Sequence, residues 1–436
     1  MEVDALRAKL QQTTPLVSKG RVRAVAGLTI RLSLPLARLG DLLIIRRRGK
    51  PLYAEVVGFD GDEALALPLG DAVGIGPEDE VESTGEPLTV PAHPSLLGRV
   101  VDGLGRVIDG AMDTSQLPRV STEGTPPEPL SRKPINERLH TGIRAIDSLM
   151  TLGIGQRIGL FSGSGVGKST LLASMARGSN ADVVIVALVG ERGREVSEFI
   201  ETSLGVEARK RSIVVVATSD APALERLKAA QTASSLAEYF RDRGQNVLLL
   251  MDSITRVARA QREVGLAAGE PPVRRGYPPS VFAMLPRLLE RSGQAAKGSI
   301  TAIYTVLVEG DSLDEPITDE VRGVLDGHIV LSRALAEQGH YPAIDVNASL
   351  SRVMDRLVTP DHTRAARVLR SLIAAYEAKR DLVALGAYAR GSDKKLDCAL
   401  DRWGNIERFL RQDGHSTSEF TETLRQLQEL VAGVPL

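Results

Sequence analysis

Lys168 follows three closely spaced glycines in the run QRIGLFSGSGVGKSTLLASMA, from Gln156 to Ala176. Residues of these types in this order suit the binding of a phosphate chain. The general pattern G-x-x-x-x-G-K-[ST] wraps backbone N–H groups around phosphates, brings a lysine to their outer oxygens and offers a hydroxyl to magnesium. Here Ser162 takes the first position, followed by Gly163, Ser164, Gly165, Val166, Gly167, Lys168 and Ser169, with Thr170 completing the set. Ser162 departs from the pattern. A serine is tolerable there if its backbone is extended, since only a positive φ demands glycine.

Binding is not hydrolysis, which needs a group to orient or deprotonate water. Two acids stand in suitable places. Asp252 closes the apolar run NVLLLMD, at the carboxyl end of an expected strand, where a carboxylate holds magnesium directly or through water. Glu191 lies just past the run VVIVALVG, where it can polarise the attacking water. The same position also suits an acid stabilised by the positive end of a helix dipole. The chemistry read from these positions is hydrolysis of a nucleotide's phosphate chain with Mg2+, ATP being the expected nucleotide and Ser169 and Asp252 being on the metal side.

For these groups to meet, the strands must lie side by side. The runs RIGLF, DVVIVALVG, SIVVVAT, NVLLLMD and ITAIYTVLV alternate with helical stretches such as PALERLKAAQTASSLAEYFRDRG. That rhythm predicts an α/β fold: a mainly parallel sheet with helices on both faces, ligands gathering at the carboxyl ends of its strands. The P-loop domain is placed at 93–359, with a connecting loop rich in Pro, Ser, Thr and Glu over 107–137. Before it, over 17–92, short β-rich runs separated by Gly, Asp and Pro turns predict a small closed barrel. After Pro360 the strands stop, and Ala365, Val368, Leu369, Leu372, Ile373 and Tyr376 recur at helical spacing. Residues 360–436 are therefore read as a helical domain. Within the N-terminal segment 1–16, Val3, Leu6 and Leu10 are spaced for a short amphipathic helix.

Composition narrows the function. With 54 basic and 55 acidic residues in 436, the chain lacks the basic excess of a dedicated nucleic-acid binder. One cysteine, Cys398, excludes an internal disulfide framework. No apolar run approaches the ~20 residues needed to span a bilayer, and MEVDALRAKLQQTTP has no apolar signal core. A cytoplasmic protein is expected.

The runs SGSGVGKS, VGERGREV, MDSITRVARAQREVGLAAGEPPVRRGYPPSVFAMLPRLLERSG, LDGHIVLSRALAEQGHYPAIDV and SLSRVMD resemble the ATPases of type III secretion. Those enzymes serve flagellar export and the injectisome, and are relatives of the catalytic subunit of rotary ATP synthases. The resemblance runs from about residue 17 to the C-terminus, and it makes Ser162 a family trait. It implies Glu191 as the catalytic carboxylate, Arg192 and Arg256 around the γ-phosphate, and Tyr341 stacked on adenine. It implies Arg352 as an arginine finger offered to a neighbouring subunit's ATP. It also implies a homohexameric ring, with GLAAGEPPVRRGYPPS facing a central channel and a stalk protein in that channel. The further implied partners are a stator-like regulator at the N-terminus, chaperone–substrate complexes, and a membrane export apparatus with which the ring associates peripherally.

Two other readings compete. A rotary synthase subunit would carry an acidic rotor-contacting run, but the matching stretch LGAYARGSDKKLDCAL is not acidic. A nucleic-acid translocase would need a barrel with stacking aromatics and basic residues. Residues 18–90 offer only Tyr53 and Phe59, with Arg46, Arg47 and Arg48. No nucleic acid is expected as a partner. Flagellum and injectisome both stay open, with a slight leaning to the latter from HIVLSRALAEQGHYPAIDV.

Overall fold

The computed structural model describes residues 18–308 and 314–434. The expected helix over 1–14 lies outside them. Six short strands come first: β1 (Lys19–Ala26), β2 (Thr29–Ser33), β3 (Leu42–Arg46), β4 (Leu52–Asp60), β5 (Glu63–Pro68) and β6 (Glu80–Ser83). They close in the order β1-β2-β5-β4-β3-β6. Alternation explains the closure: Ile30, Leu32, Leu43, Ile45 and Val81 point into a common core and are fully buried, while their neighbours face outward.

The chain then lays down β7 (Thr89–Pro91), β8 (Val100–Asp102), β9 (Arg119–Ser121), β10 (Arg138–Leu139) and β11 (Leu152–Gly153). The stretch read as a connecting loop thus contains β9, which pairs with β7. The central strands follow: β12 (Arg157–Ser162), β13 (Val183–Glu191), β14 (Ser212–Thr218), β15 (Asn246–Asp252), β16 (Gly293–Gln294), β17 (Ser299–Leu307), β18 (Gly327–Leu331) and β19 (Ile344–Ser351). The main sheet has the order β19-β18-β12-β17-β15-β13-β14-β8, with β16 paired to β17. The pairings from β18 to β8 are parallel, and β19 is antiparallel to β18. Apolar clusters cover both faces, which is why the strands read as continuous apolar runs and not as alternating ones.

Past residue 360 come three helices, Pro360–Ala384, Lys394–Leu410 and Phe420–Val431. Their buried face, including Leu369, Leu372, Ile406 and Leu427, joins the cluster that also holds Leu171 and Leu172. The small barrel, parallel sheet and helical end agree with the fold class read from the sequence. Among the described residues, no helix is long and apolar enough to cross a membrane.

Candidate active site

Strand β12 ends at Ser162, still extended and paired with Leu307 and Leu331. The serine therefore sits where no positive φ is required. The loop then turns through Gly165 (φ 78°) and Gly167 (φ 86°) into the helix Lys168–Gly178. Both angles fall in the left-handed region that glycine adopts without Cβ strain. The first N–H groups of that helix have no intrahelical acceptor, so the turn presents donors and a positive dipole end to an anion.

The two acids arrive on neighbouring strands. Asp252 is the last residue of β15 and is 2 % exposed. Glu191 ends β13, and the β13–β14 register shifts between Val189 and Glu191. Gly190 makes that irregularity with φ 71°. Such a bulge re-aims the side chain that follows, and here Glu191 turns into the site.

Lys168 joins the two acids. Its Nζ lies 3.3 Å from Glu191 Oε1 and donates also to Asp252 Oδ1. Burial disfavours the charged amine, yet the attraction of Asp252 and Glu191 outweighs it and holds Lys168 protonated above the ordinary lysine range. Arg256 Nη2 donates to the other Glu191 oxygen at 3.2 Å. A Cβ on Gly190 would come within 2.7 Å of Arg256 Cδ, so the glycine also makes room for this arginine. Arg192 is 75 % exposed and turns to Glu195 at 3.3 Å. A cavity of about 430 Å³ collects Gly163, Lys168, Ser169, Glu191, Arg192 and Arg256 on its walls.

A second cavity, about 440 Å³, opens beside the same loop and is lined by Gly167, Leu171, Tyr341, Gln412 and Gly414 among others. The Tyr341 ring lies over Gly167, where an added Cβ would meet ring carbons at 3.3 Å. The far wall is the turn after the helix Lys394–Leu410. Gln412 fastens it by donating to the Gly142 and Ser416 carbonyls at 2.7 and 3.0 Å, while its own N–H donates to the Tyr341 carbonyl at 2.9 Å. Ser174, on the phosphate-loop helix, donates to the Gly414 carbonyl at 2.6 Å. An apolar slot with an aromatic on one side suits a flat heterocycle.

Arg352 is elsewhere. It follows β19, whose far end Ser351 pairs with Gly327, whereas Ile344 at the near end pairs with Leu331 beside Ser162. The exposed Arg352 therefore stands at the opposite edge of the sheet from its own phosphate loop.

Sequence reasoning missed two contributors. Thr305, fully buried on β17, donates to Asp252 Oδ1 at 2.7 Å. The turn from Gln412 to Ser416 walls the second cavity. Neither has a local signature, since each acts across a large separation in the chain.

Three family profiles fit the chain. Residues 21–85 match the beta-barrel domain of the ATP synthase alpha/beta family, 142–351 its nucleotide-binding domain, and 358–429 the T3SS EscN ATPase C-terminal domain. The flagellum-specific ATP synthase of Bacillus subtilis is 51 % identical over 433 residues, 99 % of each chain. The type 3 secretion system ATPase of Xanthomonas euvesicatoria is 52 % identical over 410 residues, 94 % of this chain and 93 % of that protein. This chain belongs to the type III secretion and flagellum-specific ATPase family. The assembled EscN ATPase of enteropathogenic E. coli superposes with a TM-score of 0.90 at 48 % identity, over 95 % of this chain and all of that one. EscN in complex with its central stalk EscO gives 0.88 at 47 %, with the same coverage. The chain is accordingly an ATPase of that family. Identities of 51 % to a flagellar relative and 52 % to a secretion relative leave the two branches undivided.

Proposed function

We propose that the chain hydrolyses ATP at this site, in a homohexameric ring that energises type III protein export. One observation carries the reading: the phosphate-loop Lys168 draws Glu191 and Asp252 together at the carboxyl edge of the parallel sheet. The backbone donors from Gly163 to Thr170 would hold the phosphates. Lys168 would neutralise their outer oxygens, and Tyr341 would cover the base.

The site also fits Mg2+. Ser169 and Asp252 offer hard oxygens, and Asp252 makes its hydrogen bonds through Oδ1. Among the described residues there is no cluster of three or more His, Cys, Asp or Glu to cage a metal. That sparse donor set is the usual one for magnesium held jointly with phosphates. When bound, Mg2+ would neutralise charge developing on the phosphate oxygens. Glu191, held through one oxygen by Lys168 and the other by Arg256, would orient the attacking water. Arg256 and Arg192 line the same cavity and would add positive charge.

The position of Arg352 supports the ring. β19 spans eight residues, about 23 Å at ~3.3 Å per residue, which exceeds the reach of an arginine side chain. Arg352 would serve a neighbouring copy's nucleotide, and head-to-tail repetition of that contact gives a ring where the rotation between copies closes. EscN has been solved assembled and with a central stalk. By analogy the segment GLAAGEPPVRRGYPPS, over 265–280 where the helix Ile254–Ala267 passes to the helix Pro279–Glu290, would face a stalk in the channel. Chaperone–substrate complexes, a stator-like regulator on residues 1–16, and peripheral attachment to a membrane export apparatus from the cytoplasm complete the proposal. The nucleic-acid reading weakens further, because Arg46 pairs with Glu82 at 2.9 Å and Arg47 donates to the Lys50 and Val73 carbonyls.

Specific activity of the purified chain is expected to climb with protein concentration, in step with the ring mass seen by sedimentation. Unchanged specific activity on dilution to monomers would overturn the shared-site ring.

A further inference from the structure

We infer that Thr305 is a positioning residue for magnesium, acting through Asp252 and reserving one carboxylate oxygen for the metal side. The inference rests on the nucleotide site proposed above. Thr305 lies on β17, between β12 and β15, and its side chain is fully buried. Its hydroxyl donates to Asp252 Oδ1 at 2.7 Å, the oxygen that also accepts from Lys168 Nζ. Both donors thus converge on Oδ1, and no bond within the described residues occupies Oδ2.

This arrangement fixes the carboxylate. Lys168 opens the helix Lys168–Gly178 but has a long, rotatable stem, so by itself it would let the carboxylate turn. Thr305 comes from a strand locked by pairing on both sides, at Leu160↔Thr305 on one flank and Met251↔Tyr304 on the other. A β-branched side chain in a strand has restricted χ1 freedom, so its hydroxyl is a rigid donor. The same strand end is tied to the helix after Asp252, since Leu307 N–H donates to Thr255 Oγ1 at 2.9 Å. The carboxylate is therefore held from β17 with Oδ2 in a set direction. Outer partners of this kind orient metal-side oxygens, and losing one typically weakens metal affinity or activity about 10- to 100-fold.

Thr305→Val removes the hydroxyl while keeping the shape and β preference of the side chain. The measurement is equilibrium binding of a fluorescent ATP analogue to the full chain carrying Glu191→Gln, so that turnover does not intervene. Affinity is taken in excess EDTA and again at saturating Mg2+, and the ratio gives the enhancement due to the metal. The expected result is unchanged affinity in EDTA, with the Mg2+ enhancement reduced about tenfold or more. Thr305→Ser, which restores the donor, should recover it. An enhancement in Thr305→Val equal to that of the Thr305 protein overturns the inference, whatever happens to the melting temperature. If the Glu191→Gln chain with Thr305 intact shows no Mg2+ enhancement, it is the nucleotide-site reading that fails. Should Thr305→Val not fold, Thr305→Cys, with its weak S–H donor, takes its place: a reduced enhancement supports the inference and an unchanged one overturns it.

Discussion

Tyr341 and Arg352 stand at opposite ends of one strand. β19 begins three residues after Tyr341, level with the phosphate loop, and ends immediately before Arg352, at the far edge of the sheet. A single antiparallel strand therefore separates a residue that covers the chain's own cavity from one that cannot reach it.

That separation predicts complementation between dead variants. Lys168→Ala and Arg352→Ala should each be nearly inactive, since removing such a finger costs about 10³ to 10⁵ in turnover. In mixed rings, an Arg352→Ala subunit beside a Lys168→Ala subunit forms a whole interface. With random equal mixing, on the order of one interface in four is whole for a head-to-tail contact. ATPase activity should reappear in co-assembled rings verified by mass. Lack of recovery would remove Arg352 from this role, provided that wild-type rings doped with few variant subunits stay active and so show that one broken site does not silence the ring.

Glu191→Gln should separate binding from turnover. The amide keeps the size of the carboxylate and still accepts a hydrogen bond, so the loop and Lys168 remain able to hold nucleotide. It cannot serve as a base, a role usually worth about 10²- to 10⁴-fold. Lys168→Ala should instead lose hydrolysis together with most of the phosphate affinity. Near wild-type turnover by purified Glu191→Gln would assign the water-orienting role elsewhere.

Tyr341→Ala should raise KM for ATP far more than it lowers kcat. Stacking of a base on an aromatic ring is worth about 1–3 kcal/mol, roughly 5- to 150-fold in affinity. Tyr341→Phe keeps the ring and should stay close to wild type. Equal losses in the two variants would point to the hydroxyl and against stacking.

A buried Lys228–Glu55 pair, flanked by the exposed Glu123, ties the barrel to the nucleotide-binding region. Lys228, 1 % exposed on the helix Ala223–Arg241, meets Glu55 of β4 at 2.6 Å and Glu123 at 3.2 Å. Lys228→Met strands the Glu55 charge, and breaking such a pair costs about 3–5 kcal/mol. Burial already pushes the Glu55 carboxyl up, against the attraction of Lys228. Without that lysine the folded pKa rises further above its unfolded value. The extra penalty is then absent below the unfolded carboxylate pKa, about 4.3, and grows as pH rises toward the folded one. Urea midpoints should show a larger deficit for Lys228→Met at pH 8 than at pH 5. A deficit independent of pH would mean that lost packing, and not the stranded charge, sets the cost.

What the sequence determined was local. The phosphate loop is eight contiguous residues whose glycines, lysine and serine carry their own conformational and chemical meaning. The strands announce themselves because a sheet covered on both faces needs unbroken apolar runs, and Asp252 and Glu191 were legible as acids at the ends of such runs. The register irregularity at Gly190 that aims Glu191 was not legible, nor was the β9 pairing inside an apparent loop. Tertiary structure alone decided which strands are neighbours. That order brings Thr305 to Asp252, the Gln412 turn to Tyr341 and Lys228 to Glu55, and it sends Arg352 away from its own loop. The physical reason is that periodicity records which face of an element is buried, whereas lateral order depends on packing between segments far apart in the chain, and leaves no mark on the spacing of nearby residues.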